Sequence, residues 1–229
     1  MKLHYKIFRQ NGFTLAEMLI VMTVIAILAM LTIPTVIMTN KERTFADMLN
    51  QTYQKVEMAL ILDKVLDFDI SNYAISAITK DYTPKEFSDL LKKKLKIINY
   101  CDLTEIGCFG ETTLTGYKLR MTNGSGILIN KDFRGEFDPI DNTNKILGAT
   151  YIDIDGPQGA NKAGLDQFGF YTTYKGLIPM GGPKDNLMPF SDCLQNEGFA
   201  CTAWVLINKN MDYKKCPKVI NWENRKTCN

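Results

Sequence analysis

An apolar run near the N-terminus constrains this chain more than any other feature. Residues 13–33 read FTLAEMLIVMTVIAILAMLTI and carry one charged side chain, Glu17. A helix rises about 1.5 Å per residue, so this run would span roughly 30 Å, the thickness of the hydrocarbon core of a bilayer. We therefore predict a single membrane-spanning helix over residues 13–36.

The residues before the run are basic. Lys2, Lys6 and Arg9 precede Gly12, and their charge predicts that residues 1–12 form a cytoplasmic leader while the bulk of the chain lies outside. A secretory signal is cut after its apolar run, behind small residues. Here the small residue, Gly12, comes before the run. A peptidase at the cytoplasmic face could cut there and leave the anchor on the product.

Glu17 is the exception within the apolar run. An ionisable group in a spanning segment costs on the order of 2–4 kcal/mol and marks a functional position. Cutting after Gly12 would create an amine on Phe13, which lies four residues before Glu17 and on the same helix face. Glu17 of one copy could then pair with the Phe13 amine of another and set the register of assembly. The alternative is a glutamate at headgroup level whose side chain reaches water.

The junction GFTLAE at residues 12–17, followed by the apolar run, resembles that of type IV pilins and type II secretion pseudopilins. The resemblance implies that a prepilin peptidase cuts after Gly12, that Phe13 is methylated, that Glu17 is the assembly carboxylate and that Pro34 kinks the helix. It also implies other pilin or pseudopilin subunits and an inner-membrane assembly platform as partners. Ala16 stands where the family more often has a larger aliphatic residue.

The pattern beyond Pro34 predicts that the helix resumes. Apolar residues recur every three or four positions, which marks an amphipathic continuation over residues 37–64. Residues 65–229 are predicted to be an extracytoplasmic globular portion. It begins with a helix candidate at 71–79 and a second helix at 83–97, which Thr83 and Glu86 open as a capping box. The recurring residues are Phe45, Leu49, Tyr53, Val56 and Leu60.

The remainder of the globular portion reads as strands and turns. Residues 117–122 and 127–130 flank an Asn-Gly-Ser-Gly turn and predict a hairpin, and further strands are predicted at 149–154, 168–174 and 203–207. The fold class is therefore α+β: a long kinked N-terminal helix, spanning the membrane in its first half, packs on a mostly antiparallel sheet. Trp204 and Tyr213 are interpreted either as core residues or as a receptor patch.

All the cysteines lie in the predicted exported portion, where an oxidising compartment favours disulfides. We expect Cys101 to pair with Cys108 and the other four to pair among themselves. A zinc site is the alternative, but no C-x-x-C spacing occurs and the one histidine, His4, is in the leader. The other four cysteines are Cys193, Cys201, Cys216 and Cys228.

A loop at residues 153–169, DIDGPQGANKAGLDQFG, gathers oxygen donors in a glycine-rich stretch. Asp153, Asp155, Asn161 and Asp166 are candidate Ca²⁺ ligands, because hard oxygen donors around a flexible turn suit this ion. The loop lacks the spacing and the terminal glutamate of an EF-hand. The alternative is a structural turn in which Asp and Asn side chains cap their own backbone. Apart from this calcium site, no cofactor is predicted.

The charge balance and the residue types limit the function. Of 27 Lys and Arg, three lie in the leader, so 24 face 25 acidic residues in the processed chain, and this balance gives no sign of a nucleic-acid partner. Loss of His4 with the leader removes imidazole chemistry, and no enzyme is predicted. The prediction is a structural subunit, minor or specialised, of a type IV pilus or type II secretion pseudopilus, held by membrane lipid in the inner membrane before it enters an extracytoplasmic filament. The alternative is a membrane-anchored adhesin or binding protein that does not polymerise.

Overall fold

The computed structural model describes residues 14–66, 83–140, 142, 145–173, 176–196 and 198–228, and for residues 33–40, 60–66 and 196 it describes the backbone alone. The junction between Gly12 and Phe13 and the helix candidate at 71–79 lie outside the described residues. The chain forms two compact units, Met1–Lys41 and Glu42–Asn229. The second unit is called the head below.

Helix α1 runs without a break over Leu15–Leu66, which confirms the prediction of one long helix. Pro34 lies inside these bounds, but its side chain is not among those described, and the kink stays a prediction. Within the head, α1 buries Ala46, Leu49 and Val56. These residues recur at helical spacing and form the apolar stripe that packs on the sheet.

Helix α2, Pro84–Lys94, begins with the predicted capping box: the Thr83 hydroxyl accepts from the Glu86 N–H, and the Glu86 carboxylate accepts from the Thr83 N–H. The prediction of a helix to residue 97 was wrong at its C-terminal end. Leu95 is already extended, with φ −102° and ψ 155°. The β-branched pair Ile97 and Ile98 favours a strand, and strand β1 (Ile97–Cys101) begins there.

Six strands form one sheet in which each strand pairs antiparallel with the next, in the order β1 to β6. This meander confirms the predicted α+β fold. The predicted hairpin is β2 and β3, and its turn is closed by the Met121 N–H donating to the Ser125 carbonyl. The strands are β1 (Ile97–Cys101), β2 (Tyr117–Met121), β3 (Gly126–Asn130), β4 (Ile146–Asp153), β5 (Gln167–Thr173) and β6 (Gly176–Pro179).

Both faces of the sheet are covered. Strands β3, β4 and β5 are buried at every position. Their successive side chains point to opposite faces of the sheet, as the two-residue period of a strand requires, and therefore belong to two different clusters. On one face, Ile127 and Phe170 pack with α1, α2 and a later helix, α4 (Thr202–Asn208). On the other face, Leu128 and Tyr171 pack with residues from loops, including Phe109.

The prediction of a strand at 203–207 was wrong. Helix α3 (Phe190–Asn196) and a 3₁₀ turn (Phe199–Cys201) lead into helix α4 (Thr202–Asn208), which ends at Lys209 in the left-handed conformation. A short apolar run does not distinguish a buried helix from a buried strand by its period. Trp204 and Tyr213 are buried, so both are core residues, and the receptor-patch interpretation is wrong.

Three disulfides join the six cysteines: Cys101–Cys108, Cys193–Cys201 and Cys216–Cys228. The predicted first pair is therefore present, and the other four cysteines pair among themselves in sequence order. Each bridge closes a short loop between near neighbours. The last bridge fixes the C-terminal segment, whose Trp222 packs on Phe190 and Trp204.

Candidate functional site

The first turn of α1 is organised by Thr14 and Glu17. The Glu17 carboxylate accepts from the Thr14 N–H at 2.8 Å and from the Thr14 hydroxyl at 2.7 Å, while that hydroxyl accepts from the Glu17 N–H at 3.2 Å. This reciprocal pair is a capping box, which satisfies backbone donors that the first turn of a helix leaves open. A carboxylate there also opposes the positive end of the helix dipole.

The helix beyond Glu17 presents an apolar surface. Leu15–Thr32 is, within the described residues, the helix segment long and apolar enough by length and composition to cross a membrane. Its large side chains, from Leu19 and Ile20 to Leu31, are exposed. The hydroxyls of Thr23 and Thr32 donate to carbonyls of their own helix, so they add no unpaired polar group. Such a surface suits lipid or other apolar helices.

The last residue of β4, Asp153, and the loop between β4 and β5 supply the four predicted calcium ligands, but the Asp166 carboxylate is bound by backbone N–H groups. It accepts N–H groups from Ala160 and Asn161 at 2.8 Å and from Lys162 at 2.6 Å. The Asn161 amide, turned to donate, lies 3.1 Å from the Gly156 carbonyl and 3.2 Å from that of Gln158. In both arrangements a side chain of the loop bonds to backbone groups of the same loop, as in a structural turn.

Asp153 is fully buried at the base of this loop. One of its carboxylate oxygens accepts from the Gly110 N–H at 3.0 Å and from the Gln167 amide at 3.1 Å. Burial raises the pKa of Asp153 to about 8, with Asp166 and Asp155 contributing through charge repulsion. A cation would therefore have to displace a proton from this carboxyl group.

The three aspartates of this set are not arranged as a metal-binding group. Among the residues that the structure describes, no group of three or more His, Cys, Asp or Glu side chains is arranged to hold a metal ion. A Cβ on Gly110 would lie 1.9 Å from an atom of the Asn161 side-chain amide and 2.4 Å from Asp153 Oδ2, so these side chains pack against a glycine backbone. The geometry favours the structural turn, and calcium binding stays a prediction.

Comparison with known proteins bears on the N-terminal segment. A protein-family model described as the prokaryotic N-terminal methylation motif matches residues 7–33. The chain carries a prepilin-type N-terminus. This motif is typical of type IV pilins and pseudopilins, which are structural proteins, and it implies processing by a prepilin peptidase. The chain matches no curated protein and no solved structure.

The match extends over the predicted processing site of this prepilin-type chain. It includes Gly12 and Phe13, which lie outside the described residues, as well as Glu17, and it ends one residue before Pro34. The structure brings Glu17 to the beginning of α1, next to Thr14. The roles in cutting, methylation and assembly stay predictions.

Sequence reasoning missed one interaction in the prepilin-type segment. It treated Glu17 as a carboxylate within the membrane and overlooked Thr14 three residues earlier. A Thr followed three positions later by Glu, immediately before an apolar run, is the sequence signal of a capping box. Glu17 therefore has a role inside its own chain in addition to the role proposed for it between chains.

Proposed function

We propose that this chain is a structural subunit, minor or specialised, of a type IV pilus or a type II secretion pseudopilus. The observation that carries the proposal is the prepilin-type motif at residues 7–33 on a helix whose surface is apolar from Leu15 to Thr32 apart from one carboxylate. A helix of this kind serves as a membrane anchor and then as the core of a filament.

Processing would occur at the cytoplasmic face of the inner membrane. A prepilin peptidase cuts after Gly12, removes the basic leader and methylates the new amine of Phe13. The anchor stays in the lipid, and the chain spans the membrane once with its N-terminus in the cytoplasm, in agreement with the leader charge. The three disulfides of the head suit an oxidising compartment on the other side of the membrane.

Assembly would use Glu17. In an apolar bundle of helices, a carboxylate and an amine attract each other strongly because little water screens them. Glu17 of one subunit pairs with the Phe13 amine of its neighbour, and this pairing sets the stagger between adjacent copies as an inner-membrane platform adds them. The capping bonds to Thr14 hold the carboxylate at the beginning of the helix, where that amine forms.

Substitution of Glu17 tests this function. Glu17→Ala is expected to leave membrane insertion and leader removal intact while reducing the amount of assembled filament. Thr23→Ala is the matched control, because it changes a residue of the same segment whose hydroxyl bonds only to its own helix in the described structure. Gly12→Leu should leave the leader uncut.

The other candidate, an anchored adhesin or binding protein that does not polymerise, predicts a different outcome. A plain anchor needs no charge at this position, because a neutral glutamine also completes a capping box and a charge at this depth weakens insertion. Filament yield from Glu17→Ala equal to that of the wild type would contradict the assembly role. Absence of any filament from the wild type, in cells that process the chain, would favour the anchored protein.

A further inference from the structure

The sheet of the head has two edge strands, β1 and β6. An edge strand carries backbone N–H and C=O groups that face away from the sheet, and these groups can pair with a strand of another molecule. This inference rests on the proposed function, because a filament would bring heads close together, where such pairing has to be prevented. The residues that bind the outward N–H and C=O groups of β1 and β6 therefore decide whether another strand can pair there.

The outward backbone groups of β6 meet helix α1. Leu177 lies opposite Thr172 of β5, yet its N–H donates to a carboxylate oxygen of Glu57. Its carbonyl accepts from the Tyr53 hydroxyl at the long distance of 3.5 Å. In an antiparallel pair, residues alternate between bonding to the neighbouring strand and facing away. Leu177 is thus an outward position, and its N–H is already bound.

The remaining outward position of β6 has no donor at all. It is two residues further along, at Pro179, and proline lacks a backbone N–H. At the other end of the strand, a Cβ on Gly176 would lie 2.7 Å from both carboxylate oxygens of Glu57. The glycine leaves room for the carboxylate to reach the strand.

The opposite edge, β1, has an irregular register and a side chain of its own that binds a backbone N–H. The register of β1 against β2 shifts between Ile97 and Asn99, and such an irregularity makes an edge a poorer template. The Tyr100 N–H donates to the side-chain oxygen of Asn99 at 2.9 Å. The Tyr100 N–H is thus bound by a residue of its own strand, whereas the Leu177 N–H of β6 is bound by a residue of α1.

We propose that Glu57 closes the β6 edge of the sheet, so that the head of one copy does not add a strand to the head of another. The carboxylate acts in two ways. It occupies the Leu177 N–H, and its negative charge repels the carbonyl oxygens that an incoming strand would bring to the same place. The part of α1 that belongs to the head therefore also protects the sheet.

The test compares Glu57→Ala, Glu57→Gln and the wild type as full-length chains in detergent micelles. Gln54→Ala is the control, because it changes an exposed position on the same helix. Hydrogen exchange of the Leu177 amide and the mass of the particle by light scattering are measured for each. Near-ultraviolet circular dichroism confirms that each variant is folded.

Glu57→Ala is expected to speed exchange of the Leu177 amide by about tenfold or more, since a hydrogen bond to a charged acceptor is lost. The same variant should associate in a concentration-dependent manner. Glu57→Gln retains an oxygen acceptor and should be intermediate, and Gln54→Ala should behave as the wild type. An unchanged Leu177 exchange rate would show that Glu57 is not the acceptor, and faster exchange without association would show that the edge is closed by something else.

If Glu57→Ala does not fold, Pro179→Ala is used as the second variant. It is made both alone and in combination with Glu57→Gln. It returns an outward N–H to β6 without altering α1. Association stronger in the double variant than in Glu57→Gln alone supports the proposal. Equal particle mass for the double variant and the wild type overturns it.

Discussion

Glu17 has two roles in this account, and two substitutions separate them. Within the chain it closes a capping box with Thr14, and between chains it is proposed to pair with the Phe13 amine. Glutamine at the same position still completes a capping box, but it carries no charge. Thr14→Ala does the reverse, because it removes the capping hydroxyl and keeps the carboxylate.

The two changes differ in expected magnitude. Loss of an N-terminal cap destabilises a helix by about 0.5–2 kcal/mol, and α1 continues for many turns beyond it, so Thr14→Ala should lower filament yield only slightly. Removing one partner of a buried charge pair costs about 3–5 kcal/mol, because the other charge stays buried without compensation. Glu17→Gln should therefore weaken each added contact by roughly two to four orders of magnitude.

The assay measures filaments sheared from cells by immunoblot, relative to the processed subunit that remains in the membrane. Glu17→Gln should accumulate in the membrane with its leader removed and yield almost no filament, whereas Thr14→Ala should yield filament close to the wild-type amount. Equal losses for the two variants would mean that capping, not charge, explains Glu17. Normal assembly of Glu17→Gln would refute the charge-pairing argument.

Three further predictions concern the head. Isothermal titration with Ca²⁺ separates the two interpretations of the loop: the structural turn, which the geometry favours, predicts no binding by the full chain at millimolar Ca²⁺, and binding that Asp155→Ala abolishes would support the calcium site. Replacing Cys193 and Cys201 together by alanine should lower the free energy of unfolding by about 2–4 kcal/mol; a loss well below 1 kcal/mol in denaturant titration would contradict this. Gly181→Ala should destabilise the head by about 3 kcal/mol or more, because its φ is +83° and its Cβ would lie 1.5 Å from the Ala200 carbonyl oxygen, whereas Gly182→Ala meets nothing within 4 Å and should be tolerated in the same titration.

The elements predicted well are those with local signals. The apolar run and the stripe after it specify α1, the Thr83–Glu86 capping box specifies the beginning of α2, and the Asn-Gly-Ser-Gly turn specifies the β2–β3 hairpin. Each of these signals depends on residues within one or two turns of chain. The propensities and the tertiary packing agree there, and the sequence pattern alone is sufficient.

The segments predicted poorly depend on distant contacts. Helix α4 is a short apolar run whose state is decided by the buried surface that it meets, including Phe190 stacked on Trp204. The loop before α3 is held by Asp185, which accepts from the Gly181 and Met188 N–H groups and from the Tyr171 hydroxyl on β5. Burial raises the pKa of this carboxyl group, and no local pattern in the sequence shows that it is buried.

The candidate site shows the same division. The processing junction is a linear pattern, so the sequence is enough to recognise it, and the family comparison agrees over residues 7–33. The loop at residues 153–166 cannot be recognised in this way. Whether it binds an ion depends on which groups its Asp and Asn oxygens contact, and a sequence pattern does not show those contacts. The backbone N–H groups that surround Asp166 became known only from the structure.

The N-terminus of the protein isolated from its own cells shows whether the amine that assembly requires is formed. Mass spectrometry of the N-terminal peptide should find a chain that begins at Phe13 and carries a methyl group on its amine, because only that amine can meet the carboxylate of Glu17 in a neighbouring copy. A peptide that begins at Met1 and retains Lys2, Lys6 and Arg9 would contradict the account, since the amine required for assembly would never form.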